Sequence, residues 1–215
     1  MNTSIIPEYG WSSSAPENVH SYLLSALVKA LEHARSTKLV GRKLRVFDAG
    51  CGNGYVAGQL IKSGFDVSGC DASQKGIEEA RKSNPTGNFE VSSVYDDLLS
   101  KFGGNWDVVI SSEVVEHLYD PRCFVRQVNK LLVPGGTLII TTPYHGYFKN
   151  LVLALSGKMD KHFTALWDGG HIKFWSFSTL SRLLDEQGFS GFKFYGAGRV
   201  PFLWKSMVIS ARNGT

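Results

Sequence analysis

The chain has 215 residues, 43% of them hydrophobic, which is enough for one large α/β domain and too few for a dehydrogenase with a separate substrate domain. Its net charge is +4, from 23 Lys and Arg against 19 Asp and Glu, with no Lys/Arg block of the kind nucleic-acid arms use; an anionic ligand is permitted but not demanded. Cys51, Cys70 and Cys123 show no C-x-x-C spacing, which argues against a disulfide framework or zinc knuckle; with no signal-peptide pattern and no run near the roughly 18 apolar residues of a membrane span, the cytoplasm is the expected compartment.

In chain order, residues 1–16 are polar, with Pro7, Gly10 and Pro16, and are interrupted by Tyr9 and Trp11, which predict a leader that docks by its aromatics. Between Glu17 and Arg35, Val19, Tyr22, Leu23, Ala26, Leu27, Ala30 and Leu31 recur at helical spacing and predict a covering helix. Strand and helix signals then alternate: strand 44–48, helix 54–63, strand 66–70, helix 73–83, strand 88–94 and strand 106–112. Helix 121–132 opens with Pro121 and stops at Pro134-Gly135-Gly136, and strand 137–142 follows.

Residues 143–173 break the alternation. They form an insertion with Tyr147, Phe148, Leu151, Val152, Leu155 and Met159 at helical spacing, beside Lys149, Lys158 and Lys161. Packing against the core is the usual fate of such weak amphipathy; resting on a membrane surface is the less favoured alternative. Helix 178–187, capped by Gly188, and strands near 190–198 and 204–211 complete the chain. The expectation is an α/β doubly wound sheet covered on both faces, in a single domain over 1–215, with leader and covering helix over 1–40 and a lid-like insertion over 143–173.

The stretch Leu44 to Leu60, LRVFDAGCGNGYVAGQL, runs an apolar strand into a glycine-dense turn and a helix. Gly50, Gly52 and Gly54 lack Cβ, so the backbone can take positive φ and approach a ligand closely. Gly52, Gly54 and Ala57 fit G-x-G-x-x-A, with Asp71 at about the distance of a ribose-binding acid, which leaves a nicotinamide dinucleotide open. Asp48, two residues before the first glycine, repels a pyrophosphate and suits a cationic ligand better.

D-A-G-C-G-N-G over residues 48–54, then V-S-G-C-D ending at Asp71, resembles motif I and the acidic second strand of class I S-adenosylmethionine-dependent methyltransferases. The resemblance covers most of residues 18–212. It implies a Rossmann-like, seven-stranded, mostly parallel sheet with an antiparallel last strand. It also implies a cofactor site of Asp48, Gly50, Cys51, Gly52, Asn53, Gly54, Asp71 and Ala72, and a leader folded over the cofactor. The contact to the adenine amine falls within Ser92–Asp97, where Ser93 with Val94, or Asp96, could take the role.

Strand 106–112 delivers Glu113, Glu116 and His117 to the carboxyl edge of the sheet, where open α/β sheets bind ligands. If Glu113 starts a helical turn, these positions share one face. Clustered acids repel unless a divalent metal or a protonated His117 sits between them. The E-x-x-E-H string is similar to that of ubiquinone-biosynthesis O-methyltransferases and small-RNA 2′-O-methyltransferases. In the RNA enzymes these residues and a later histidine bind a divalent ion that chelates neighbouring hydroxyls, and His171 supplies a later histidine here.

That resemblance implies a metal set of Glu113, Glu116, His117 and His171. It leaves about two positions of an octahedral ion open, with imidazoles favouring manganese, iron or zinc over magnesium. Without metal, His117 could act as general base, oriented by Glu116; a bland alternative places the two acids against a helix dipole. The expected activity is O-methylation of a small molecule bearing a catechol or vicinal diol. Rival readings are a non-catalytic cofactor-binding partner subunit and an NAD-dependent oxidoreductase. The acceptor, the oligomeric state and the metal's presence are left open by the sequence, and nucleic acid is disfavoured as a partner.

Overall fold

The computed structural model describes residue 15 and residues 20–36 and 41–214. Tyr9, Trp11 and the first residues of the expected covering helix lie outside them. The covering helix α1 spans His20–Ser36 and is followed by β1 (Arg45–Ala49), α2 (Tyr55–Lys62), β2 (Asp66–Asp71), α3 (Gln74–Ser83) and β3 (Asn88–Val91). Next come α4 (Leu98–Phe102), β4 (Trp106–Ser112), a short 3₁₀ turn (Val115–His117), α5 (Pro121–Leu131) and β5 (Leu132–Pro143). The insertion folds as α6 (Tyr147–Leu155) and α7 (Met159–Phe163), and α8 (Phe177–Asp185), β6 (Phe189–Ala197) and β7 (Ser206–Asn213) close the chain.

The seven strands form one sheet in the order β3-β2-β1-β4-β5-β7-β6. All neighbours from β3 to β5 are parallel, and β7 runs antiparallel to both β5 and β6, as expected. The strand β4, WDVVISS, is buried over its first six residues, because a parallel strand covered on both faces needs a nearly continuous apolar run. One core layer joins α1, α2 and α3 to the sheet through Leu27, Leu31, Leu60 and Ile77; the other joins α5 and α8 through Phe124, Val128, Leu180 and Leu184. The strand order reverses between β1 and β4, so their carboxyl ends part and leave the crevice where doubly wound sheets hold ligands.

Several predicted boundaries shift for visible reasons. The third strand ends at Val91 rather than 94, because the backbone N–H of Ser93 and the hydroxyl of Ser92 both donate to Asp96 and turn the chain. The helix α4 was not foreseen. It is only five residues long, started by Asp97 accepting from the Ser100 N–H and stopped at Gly103. Pro134-Gly135-Gly136 does not separate helix from strand: β5 begins at Leu132, directly after α5, and the Pro-Gly-Gly stretch lies where the register against β4 shifts between Trp106 and Val108.

The insertion helix α6 inverts the expected packing. Its apolar positions face outward, with Phe148 56% and Leu155 81% exposed, and Lys149 is its one buried residue. Among the described residues no helix is long and apolar enough to cross a membrane.

Candidate functional site

The turn after β1 is drawn tight by the Cys70 carbonyl, which accepts from the N–H groups of Gly50 and Cys51 at 2.8 and 2.9 Å. Gly50, Gly52 and Gly54 all adopt positive φ, at 87°, 52° and 73°. At Gly54 the requirement is double, because an added Cβ would also stand 2.7 Å from the Ala80 Cβ and 2.8 Å from its Cα on α3. Gly54→Ala is therefore expected to cost about 2 kcal/mol or more from left-handed strain plus overpacking. A thermal melt should then fall by at least about 4 °C. Asn53 accepts from the Tyr55 N–H and donates through Nδ2 to the Ala15 carbonyl at 3.2 Å, so the one described leader residue touches this turn.

Two acids flank the turn. Asp71 accepts from the Gly52 N–H (2.9 Å) and the Ser73 N–H (2.8 Å), and Ser73 in turn caps α3 through the Gly76 N–H. Burial raises the Asp71 pKa against the opposing pull of these backbone donors, and each oxygen keeps a lone pair for a further hydroxyl donor. Asp48 is 1% exposed, and neither carboxylate oxygen has a hydrogen-bond partner among the described residues. Burial, then the charge of Asp71, pushes its pKa up to about 8. A buried carboxylate without donors is costly, so this position fits a ligand that brings a cation or donor to it. In the third-strand turn, Asp96 Oδ2 accepts from Lys101 (2.7 Å), Ser92 and the Ser93 N–H, and Val94 is buried beside it in the chain.

At the end of β4, Glu113 does not start an α-helical turn. It adopts φ 56°, and the 3₁₀ turn Val115–His117 follows, so Glu113 and Glu116 part company. The Glu113 carboxylate accepts from Thr141 Oγ1 at 3.0 Å, whereas Glu116 Oε2 accepts from Thr142 Oγ1 at 2.9 Å. The ligand atoms of Glu116, His117 and His171 gather within 4.8 Å of one another, and Glu113 stands outside this group. The expected four-ligand set is thus drawn in as three, with Glu113 near enough that its charge adds to the rise in the Glu116 pKa begun by burial.

The insertion's return segment delivers His171. The Glu116 carbonyl accepts from the N–H groups of Ile172 (2.9 Å) and Lys173 (3.0 Å), Trp175 Nε1 donates to the Val115 carbonyl, and the His145 N–H donates to the Trp175 carbonyl. His117 Nδ1 donates to the Gly169 carbonyl at 2.9 Å; a carbonyl only accepts, so in the neutral ring Nε2 carries the lone pair. Burial lowers the pKa of His117 and takes His171 down to about 4, so both imidazoles stay neutral near pH 7. Glu116 Oε1 is buried without a hydrogen-bond partner among the described residues and lies 4.0 Å from His171 Nε2.

One buried carboxylate with a free oxygen, two neutral imidazoles and a backbone carbonyl fixing one ring make a donor set that fits a divalent cation. The aromatics of residues 143–173 divide. Trp167 meets both His117 and His171 edge-on, and Phe163 stacks on His145, whereas Tyr147 is exposed and Tyr144 packs on Phe194 and Trp204.

Sequence reasoning missed Thr142 and Gly169, which hold Glu116 and His117, because a threonine at a strand end and a glycine in a loop carry no distinctive signal. It also missed the burial of Lys149, whose place off the apolar stripe reads as solvated.

A family model described as a methyltransferase domain matches residues 17–192. A ubiquinone biosynthesis O-methyltransferase of Caulobacter sp. (strain K31) is 38% identical over 117 residues, 53% of this chain and 46% of that protein. One of Cereibacter sphaeroides (strain ATCC 17025 / ATH 2.4.3) is 32% identical over 125 residues, 56% of this chain and 50% of that protein. The chain thus spans about half the length of the curated relatives it matches. Among solved structures, the methyltransferase domain of bacterial CtHen1 aligns with a TM-score of 0.64 at 20% identity over 88% of this chain and 97% of that one. Magnesium protoporphyrin IX methyltransferase from Synechocystis PCC 6803 with bound SAH aligns with a TM-score of 0.61 at 21% identity, covering 88% and 81%. At such identities these structures bear on the fold alone.

Proposed function

The chain belongs to the methyltransferase domain family, as a class I S-adenosylmethionine-dependent methyltransferase, and on that premise we propose that it methylates one hydroxyl of a small molecule bearing a catechol or vicinal diol, with a divalent metal assisting. The observation that carries the finer reading is Glu116 Oε1, buried and unpartnered beside the ligand atoms of His117 and His171. Residues 1–215 act in this reading as one methyltransferase domain, with 143–173 as the lid of the acceptor site.

The donor lies along the glycine turn. Asp71 faces the ribose hydroxyls, Asp48 the ammonium, Gly50 to Gly54 let the backbone approach, Ala72 borders the ribose contact, and Ser93 with Val94 borders the adenine. Across the crevice Glu116, His117 and His171 hold the acceptor's paired oxygens. As the acceptor oxygen bonds to the methyl carbon, the carbon–sulfur bond breaks and sulfur keeps the electron pair. The hydroxyl proton passes to water, before or in the same step.

An imidazole with a pKa near 4 is a poor proton acceptor, so His171 serves better as a ligand than as a base. A divalent cation on Glu116, His117 and His171 supplies Lewis acidity, the property that makes an oxygen acid ionise near neutral pH. Trp167 covers the two histidines and limits water. The test is elemental analysis of the purified protein and a screen of catechol, sugar and nucleoside acceptors with labelled cofactor. The expected result is methyl transfer to a vicinal diol that EDTA abolishes and added manganese or zinc restores. Transfer untouched by EDTA in metal-free protein would rule out the assisted mechanism.

A further inference from the structure

The insertion buries a cation. Lys149, in the first turn of α6, is 4% exposed, and its Nζ donates to the Lys205 carbonyl at 3.3 Å, with no carboxylate in ion-pair contact among the described residues. The helix has turned its phenylalanine and leucines outward to put this lysine inside. An ammonium taken out of water with one long hydrogen bond is costly unless an anion meets it.

Around it lie more polar groups: His145 interacts with the Asn150 side chain, and His162 Nε2 is buried without a hydrogen-bond partner among the described residues. The rings of His145 and His162 are 5.4 Å apart, walled by Phe163 and Phe174. Arg199, held with Gly198 at left-handed φ of 61° and 67°, adds a second cation near Lys149. Its charge, after burial, helps bring the lysine down to about 8, still protonated for the most part near pH 7.

We propose that Lys149 and Arg199, with His162 Nε2 beside the His145 ring, form a subsite for a carboxylate on the methyl acceptor, beside the cluster of Glu116, His117 and His171. The carboxylate class follows from charge. Among the described residues, two cations stand against the carboxylate of Glu113, and His145 and His162 are held neutral by burial, so one positive charge is left for a monoanion rather than a dianionic phosphate. The subsite adjoins the acceptor edge, since the His145 N–H donates to the Trp175 carbonyl while Trp175 Nε1 donates to the carbonyl of Val115, the residue before Glu116.

This inference rests on the small-molecule acceptor reading, so its test begins with probes that carry no diol. Calorimetry in the presence of S-adenosylhomocysteine compares benzoate with benzamide, for wild type, Lys149→Met and Arg199→Gln. Benzoate is expected to bind wild type about 10-fold tighter or more, and both variants to bring the ratio close to one. Arg199 is exposed, so its variant reports even if Lys149→Met folds poorly. Equal binding of the two probes by wild type, or a ratio preserved in Arg199→Gln and folded Lys149→Met, overturns the subsite. A parallel assay offers 3,4-dihydroxyphenylacetate and its amide as acceptors. Transfer to neither, with the benzoate preference intact, removes the diol reading and leaves the subsite standing.

Discussion

Glu116→Gln is expected to lower kcat by about 10²-fold or more while leaving the melting temperature of the cofactor-free protein unchanged or higher. Activity falls because the amide keeps the hydrogen bond from Thr142 but loses the anionic oxygen that lies among the ligand atoms of His117 and His171. A factor of 10² in rate is about 2.7 kcal/mol, well within the several kcal/mol a bound cation supplies to a transition state. Stability does not fall, because burial and Glu113 already push the Glu116 pKa far up, and an amide mimics the neutral acid without its tendency to ionise in the interior.

His171→Ala should lower activity in the same direction, with loss of bound metal by elemental analysis. If the two acids served only a helix N-terminus, the pattern would reverse: Glu116→Gln would melt earlier and still transfer methyl groups. Such a role already fits poorly, since only a three-residue 3₁₀ turn follows Glu113.

How much of this was legible in the sequence depended on how local each feature is. The strand β1 and its turn were readable because an apolar run into Gly-x-Gly leaves few backbone options, and Asp71 because it closes the next strand. Glu116, His117 and His171 were readable as residue types with a resemblance behind them. The exclusion of Glu113 was not, because nothing in a glutamate signals positive φ, and one left-handed residue redirects the turn after it.

The orientation of α6 was hidden for another reason. A weak apolar stripe does not say which face a helix turns to the core when the segment packs on a site rather than on the sheet. Lys149 is inside because both ends of the insertion are pinned, its start by the Tyr144 N–H on the Lys205 carbonyl and the His145 N–H on the Trp175 carbonyl, its return by Ile172 and Lys173 on the Glu116 carbonyl. Those constraints come from residues dozens of positions away. The same separation marks the two sides of the crevice: the glycine turn and Asp71 lie on short stretches after β1 and β2, while the cluster of Glu116, His117 and His171 is assembled from the end of β4 and the insertion.

The donor side has its own decisive residue. Asp48→Asn is expected to weaken S-adenosylmethionine binding by about 10²-fold, since a buried contact between charged groups contributes about 3 kcal/mol and each 1.4 kcal/mol is tenfold. Without cofactor the variant should be as stable as wild type or more so, because it removes a buried carboxylate that has no hydrogen-bond partner among the described residues.

The pH dependence separates this from a packing effect. Burial, and then Asp71, raises the Asp48 pKa to about 8, against roughly 3.9 in an unfolded chain. Between those values the folded protein holds a proton that unfolding releases. The contribution of Asp48 to stability is therefore fully present below about pH 4, declines as pH rises toward 8 and is flat above. Binding a cationic ligand requires the carboxylate, so the gain in melting temperature given by S-adenosylmethionine should grow over the same window. Asp48→Asn should flatten both slopes. Melts between pH 5 and pH 8, with and without cofactor, measure this directly; wild-type affinity in the variant, or an unchanged slope, would remove Asp48 from the donor site.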